Sequence, residues 1–88
     1  MKLNGEFIVR QVADEVVVLP VGETALKLNG MIRLNGVSLV IWRCLEQETD
    51  VSSIVQAVTE QFDVSVKQAE TDVLEFLEQL RSADLLAE

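Results

Sequence analysis

Hydrophobic positions follow a short period along the front of the chain and a longer one along the rest, and the change falls within Met31 to Leu45. Met31, Ile32, Arg33 and Leu34 form a short extended run. Asn35 can cap a helix, and Val37, Leu39, Val40, Ile41, Trp42 and Leu45 give that helix a wide apolar face. The pattern predicts sheet before this stretch and helices after it.

Upstream, Phe7 to Val12 lead into Ala13-Asp14-Glu15, and Val16 to Leu19 form a run rich in β-branched residues, which reads as two strands joined by a tight turn. Pro20 removes a ladder donor and Gly22 permits an unusual backbone angle, so the second strand ends or bulges there. Ala25 to Leu28 alternate apolar and polar ahead of Asn29-Gly30, a strong hairpin signal when flanked by strands. With flanks this short, residues 25–28 read either as a strand or as an irregular loop.

Three helices follow. The first runs over about 36–47, and Glu46 to Thr49 form a polar link. Asp50 caps the second, over 51–62, whose stripe is Val51, Ile54, Val55, Val58 and Phe62. Asp63-Val64 is a turn, and Ser65 with Gln68 forms a capping box for the third helix, over 66–83. That helix turns Val66, Ala69, Val73, Phe76, Leu77 and Leu80 to the core, with Leu85 and Leu86 folding back as a cap. Leu74 lies about 100° round from Val73, towards Glu70, Glu78 and Arg81, so it either borders a groove or completes the core. The fold class is α+β and winged helix-turn-helix-like: an N-terminal antiparallel sheet of three to four short strands within residues 6–34, then three helices, in one domain over residues 1–88.

Composition narrows the chemistry. The 88 residues include no histidine and no tyrosine, and Cys44, the sole cysteine, sits in an apolar run. A chain of this length hides about two thirds of its unfolded surface, so a large substrate pocket would consume much of the core and a binding role is favoured. Nucleophilic catalysis would lack a histidine base. No phosphate-cradling glycine loop, metal-ligand cluster or cofactor motif is present, and no catalytic residue is assigned. Neither a signal-peptide pattern nor ~18 consecutive apolar residues occurs, so a soluble cytoplasmic chain without a membrane partner is expected.

Charge is uneven. Met1 to Cys44 carry five basic and four acidic residues, whereas from Leu45 onward two basic residues stand against eleven acidic ones, for a net charge of −8. A winged helix invites a DNA-binding reading, as a transcriptional regulator. The third helix, however, sets Lys67 and Arg81 against Glu70, Asp72, Glu75 and Glu78, and phosphate would be repelled, so no nucleic-acid partner is expected. Trp42 reads as a core anchor before a ligand-stacking residue. Arg33 either balances the acidic half or selects an acidic peptide side chain.

Leu34-Asn35, Ile41-Trp42, Val51, Ile54, Val58, Phe62-Asp63-Val64, Asp72-Val73, Phe76-Leu77, Leu80 and Leu85-Leu86 together resemble the pyrroloquinoline quinone biosynthesis protein D family. That family is the stand-alone form of the peptide recognition element in ribosomal peptide modification. Ser38 and Asp84 depart from it, standing where glycine is common. The resemblance implies a non-catalytic adaptor, a three-stranded sheet packed on three helices, that binds the leader of a precursor peptide and presents it to a modifying enzyme, often a radical S-adenosylmethionine maturase. It implies further that the leader adds as a strand at Met31, Ile32, Arg33 and Leu34 and rests against Glu70, Leu74, Leu77, Glu78 and Arg81.

Pairing with four strand residues would give ~4 backbone hydrogen bonds, roughly 2 to 6 kcal/mol net, against about 8 kcal/mol for micromolar binding. Apolar leader side chains must supply the remainder. An exposed edge bearing Met31, Ile32 and Leu34 also invites self-pairing, so a monomer or a weak homodimer is expected, the latter dissolved by peptide.

Overall fold

The β-branched runs at the front of the chain form strands. The computed structural model describes residues 1–28 and 30–88, with the element order β1 (Lys2–Leu3), β2 (Phe7–Val12), β3 (Glu15–Pro20), α1 (Thr24–Lys27), β4 (Ile32–Leu34), α2 (Gly36–Leu45), α3 (Val51–Gln61), α4 (Val66–Ser82) and β5 (Leu86–Ala87). The fold is α+β. Contacts divide the chain into two units, Gly5–Asn35 and Met1–Asn4 with Gly36–Glu88.

In the first unit, β2, β3 and β4 form an antiparallel sheet in that order. Val12 and Glu15 pair across a two-residue turn at Ala13 and Asp14, with Ala13 at φ 55°, a conformation that glycine adopts more easily. Strand β3 stops at Pro20. The chain then reverses through Gly22 at φ 60°, so the sequence reading of this turn holds.

The segment that reads from sequence as strand or loop, residues 25–28, is neither: its first residues belong to α1, and the proposed second hairpin does not form. Ala25 N–H donates to Gly22 C=O (3.2 Å), Leu26 N–H to Glu23 C=O (3.1 Å) and Leu28 N–H to Thr24 C=O (3.0 Å). Alanine, leucine and lysine are all good helix formers, and here local propensity decides. Thr24 Oγ1 also accepts from Glu6 N–H at 2.8 Å, tying α1 to the approach of β2. Asn29 of the Asn29-Gly30 turn lies outside the described residues.

The second unit holds the longer helices, each close to its expected span. Trp42, Ile41 and Leu45 of α2, Ile54 and Val58 of α3, and Ala69, Val73, Leu77 and Leu80 of α4 are buried, as are Leu85 and Leu86. Gly36 opens α2 beside Phe62, whose ring would lie 3.1 Å from any added Cβ. The expected cap residues function: Asp50 Oδ1 accepts from Ser53 N–H (2.8 Å), which holds its carboxyl below the usual range, and Ser65 Oγ accepts from Gln68 N–H (3.0 Å). The capping box is only half made: the Gln68 amide is turned forward, donating to Asp72 (2.8 Å), and does not accept from the Ser65 N–H.

Beyond the sequence reading, β1 and β5 pair antiparallel, Lys2 with Ala87 and Leu3 with Leu86. Asn4 N–H extends this ladder to Leu85 C=O at 2.8 Å. The register depends on how α4 ends. Leu85 N–H donates to Leu80 C=O (2.9 Å) and Asp84 N–H to Arg81 C=O (3.1 Å), with Asp84 at φ 60°, a left-handed helix stop. Glycine suits this position, which accounts for the family preference that Asp84 breaks.

Two effects oppose Asp84: the left-handed backbone and an anion at a helix C-terminus. Asp84→Gly relieves both at some cost in unfolded-chain entropy, so a net gain of about 1 kcal/mol is expected. Thermal unfolding should show a midpoint raised by roughly 5 °C; an unchanged or lowered midpoint contradicts this account of the helix stop.

Candidate functional site

Strand β4 is paired on one side only among the described residues, with Val16 opposite Leu34, Val17 opposite Arg33 and Val18 opposite Ile32. Which of its main-chain groups face outward follows from the β2–β3 turn. In a two-residue hairpin the residues flanking the turn exchange hydrogen bonds, and bonded pairs recur at every second position. Val12 and Glu15 are therefore a bonded pair, as are Arg10 and Val17; Val21 N–H donating to Glu6 C=O (3.0 Å) keeps the same phase. Val16 and Val18 must then point their main-chain groups at β4, where Leu34 and Ile32 meet them. Arg33 is left with its own N–H and C=O directed away from the sheet.

The strand is shorter than the four residues of the sequence estimate: β4 spans Ile32–Leu34, and within it Arg33 alone presents an outward donor and acceptor. Two bonds are worth roughly 1 to 3 kcal/mol net, which leaves most of a micromolar affinity to side chains.

Side chains alternate as well. Leu34 is buried, Ile32 half-buried on the same face, and Met31 and Arg33 project to the other face. Arg33 Nε stands 3.8 Å from Glu15 Oε2, both side chains largely in solvent, a contact worth little. A concavity is lined by Arg10, Gln11 and Val12 of β2, Glu15, Val17 and Leu19 of β3, and Met31 and Arg33. Sequence reasoning passed over it, although Ile8-Arg10-Val12 and Val17-Leu19 carry the period of two that marks one face.

On α4 the expected wall residues fall into two environments. Leu74 is 48 % exposed, and Glu70 and Glu78 are exposed beside it, one helical turn to each side. Leu77 is 1 % exposed and belongs to the core, so it offers no free surface, a correction to its sequence reading as wall. Arg81 is not a free cation either. It donates to Glu78 at 2.8 Å and to Glu88 at 2.9 and 3.0 Å, which raises its own pKa and holds the Glu88 carboxyl below the usual range.

Other chemistry recedes. Trp42 is 1 % exposed and unavailable for stacking on a ligand. Burial pushes the Cys44 thiol up, away from the thiolate a nucleophile needs. Among the described residues no group of three or more His, Cys, Asp or Glu side chains converges on a metal position. Nor, among the described residues, is any helix long and apolar enough to cross a membrane.

Residues 15–86 match the family described as coenzyme PQQ synthesis protein D, PqqD. The chain is similar to two solved structures. One is TbiB1 in complex with the TbiA(beta) leader peptide, at 26% identity over 100% of both chains, with a TM-score of 0.74. The other is lasso peptide synthetase B1 complexed with the leader peptide, at 20% identity over 99% of this chain and 96% of that one, with a TM-score of 0.73; this second likeness is one of fold. Comparison with curated proteins gives no match.

The outward main chain of Arg33 predicts how β4 tolerates proline. Arg33→Pro removes a donor that bonds nothing in the sheet and should cost less than about 1 kcal/mol, whereas Ile32→Pro removes a ladder donor and should cost about 2 to 3 kcal/mol. Urea unfolding of the two variants checks the assignment, and the reverse order would overturn it.

Proposed function

From the premise that the chain belongs to the PqqD family, we propose that it is an adaptor that takes the leader segment of a ribosomally made precursor peptide as an added strand on β4 and presents it to a modifying enzyme. The observation that carries this reading is the edge of β4, unpaired among the described residues, with the main chain of Arg33 directed outward. Support comes from TbiB1, whose structure holds a leader peptide and with which this chain aligns end to end. The enzyme served is of the radical S-adenosylmethionine class in this reading, and the adaptor itself makes and breaks no covalent bond.

Energetics assign the parts. Backbone pairing contributes the smaller share, so leader side chains must remove apolar surface from water. On α4 the exposed Leu74, between Glu70 and Glu78, is the side chain suited to that contact. Leu77 acts from beneath by holding the helix in its packing. Arg81, engaged by Glu78 and Glu88, sets the local charge without a hand free for the peptide. A DNA-binding role is disfavoured by the same residues, since α4 sets a neutralised Arg81 and one lysine, Lys67, against four carboxylates.

Titration with a leader peptide encoded in a neighbouring reading frame should shift the backbone amide resonances of residues 31–34 and of α4. Shifts confined to the turn between β2 and β3 would contradict the reading. Arg33→Pro, which removes the outward donor, should weaken binding by up to about tenfold while the protein remains folded. Leu74→Ala should weaken binding about fivefold, the effect of losing the part of one leucine that remains exposed in the free protein.

A further inference from the structure

The face of the sheet that carries Arg33 has features that the edge alone does not require. Arg10, Val17 and Arg33 stand side by side across the three strands, because Arg10 pairs with Val17 and Val17 with Arg33. Val17 is 6 % exposed, and the two flanking arginine stems are placed to cover it while their charged ends remain in water. Apolar residues surround this row: Ile8 is 39 % exposed, Val12 57 % and Met31 55 %. The result is an apolar floor with two guanidinium groups on it and the Glu15 carboxylate at one end. Arg10 makes no ion pair among the described residues, and Arg33 has only the loose contact to Glu15.

We propose that this face reads the leader peptide, and that it selects a segment with a carboxylate at the position paired with Arg33 and an apolar residue two positions away on the Met31 side. The inference rests on strand addition at β4. Given that addition, the geometry is fixed. A residue paired with Arg33 across a new ladder puts its side chain on the same face as Arg33, whichever direction the added strand runs. Its nearest charged neighbour is then the Arg33 guanidinium, with Arg10 two strands further away, and a negative side chain is the complement to both. The residue two positions removed towards Met31 shares the face and meets Met31 and its apolar surroundings, whereas on the other side the face continues to Asn35 in the row of Glu15. The intervening residues point to the opposite face, with Ile32 and Leu34.

Magnitude sets the form of the selectivity. The Arg33–Glu15 contact at 3.8 Å is exposed, so an incoming carboxylate can share or replace it at little cost. An exposed pair of this kind gives a preference of about three- to fivefold for acid over its amide, enough to rank leaders and too little to bind one unaided. The preference is screened by salt, since the Debye length falls from about 10 Å at 0.1 M to about 3 Å at 1 M.

The test uses the full chain and a random ten-residue peptide library, selected by affinity in parallel on the unaltered protein, Arg33→Gln and Arg33→Glu. On the unaltered protein, peptides with one aspartate or glutamate and an apolar residue two positions away should be enriched. Arg33→Gln should erase the acidic preference, and Arg33→Glu should replace it with lysine or arginine, a reversal of about tenfold between matched acidic and basic peptides. The amide of residue 33 in each selected complex reports separately on strand addition. Peptides that shift that amide yet show no charge preference, or the same preference on all three proteins, overturn this proposal and leave strand addition standing. Selected peptides that leave the amide unmoved overturn both.

Discussion

A single alternation of hydrogen bonds, set at the turn between β2 and β3, governs what the sheet can do. Because Ala13 and Asp14 form a two-residue turn, Val12 bonds Glu15, and every second pair along the two strands is bonded in the same phase. That phase passes through β3 to β4 and turns the main chain of Arg33 outward. One more residue in the turn would shift the phase, exchange the inner and outer faces of β3 and change which group of β4 meets a guest. The edge proposed to take a peptide is thus decided some twenty residues upstream of itself, in a turn that no peptide need touch.

The charge distribution acts on top of this geometry. Most of the excess negative charge lies from Leu45 onward, while the outer face of the sheet carries Arg10 and Arg33 over an apolar floor. None of the ion pairs at these surfaces is buried, and such pairs add little to stability. Their influence lies in discrimination and in guiding encounter, effects that salt weakens. Binding strength has to come from apolar contact, which is why exposed leucine, methionine and valine side chains weigh more here than the more numerous carboxylates.

Where the chain has strong local signals, sequence and structure agree. Asp50 and Ser65 cap their helices because each short polar side chain sits one turn before an amide with no helical partner. Pro20 ends β3 and Gly22 takes a left-handed turn, each for its own steric reason. Where signals are weak or compete, the sequence misleads. Residues 25–28 alternate as a strand or an irregular loop would, but Ala25, Leu26 and Lys27 are helix formers, and they wind into α1. Gln68 has the spacing of a capping box, yet Asp72 lies within reach and draws its amide away. The family resemblance puts Leu77 and Leu74 on one groove wall, while the helical period puts Leu77 in the core; burial sides with the period, leaving Leu77 in the core and Leu74 half in water.

Hydrophobic period, caps and turn residues determined the kinds of elements, their order and most of their limits, because each rests on interactions between residues a few positions apart. The resemblance to a family was also legible, since it lies in the same spaced apolar positions. The pairing of β1 with β5, the outward main chain of Arg33 and the shared row of Arg10, Val17 and Arg33 were decided by tertiary structure. Each depends on contacts between residues far apart in the chain, or on a phase counted through two ladders. A one-dimensional pattern records which residues can form a strand, but not which neighbour that strand lacks.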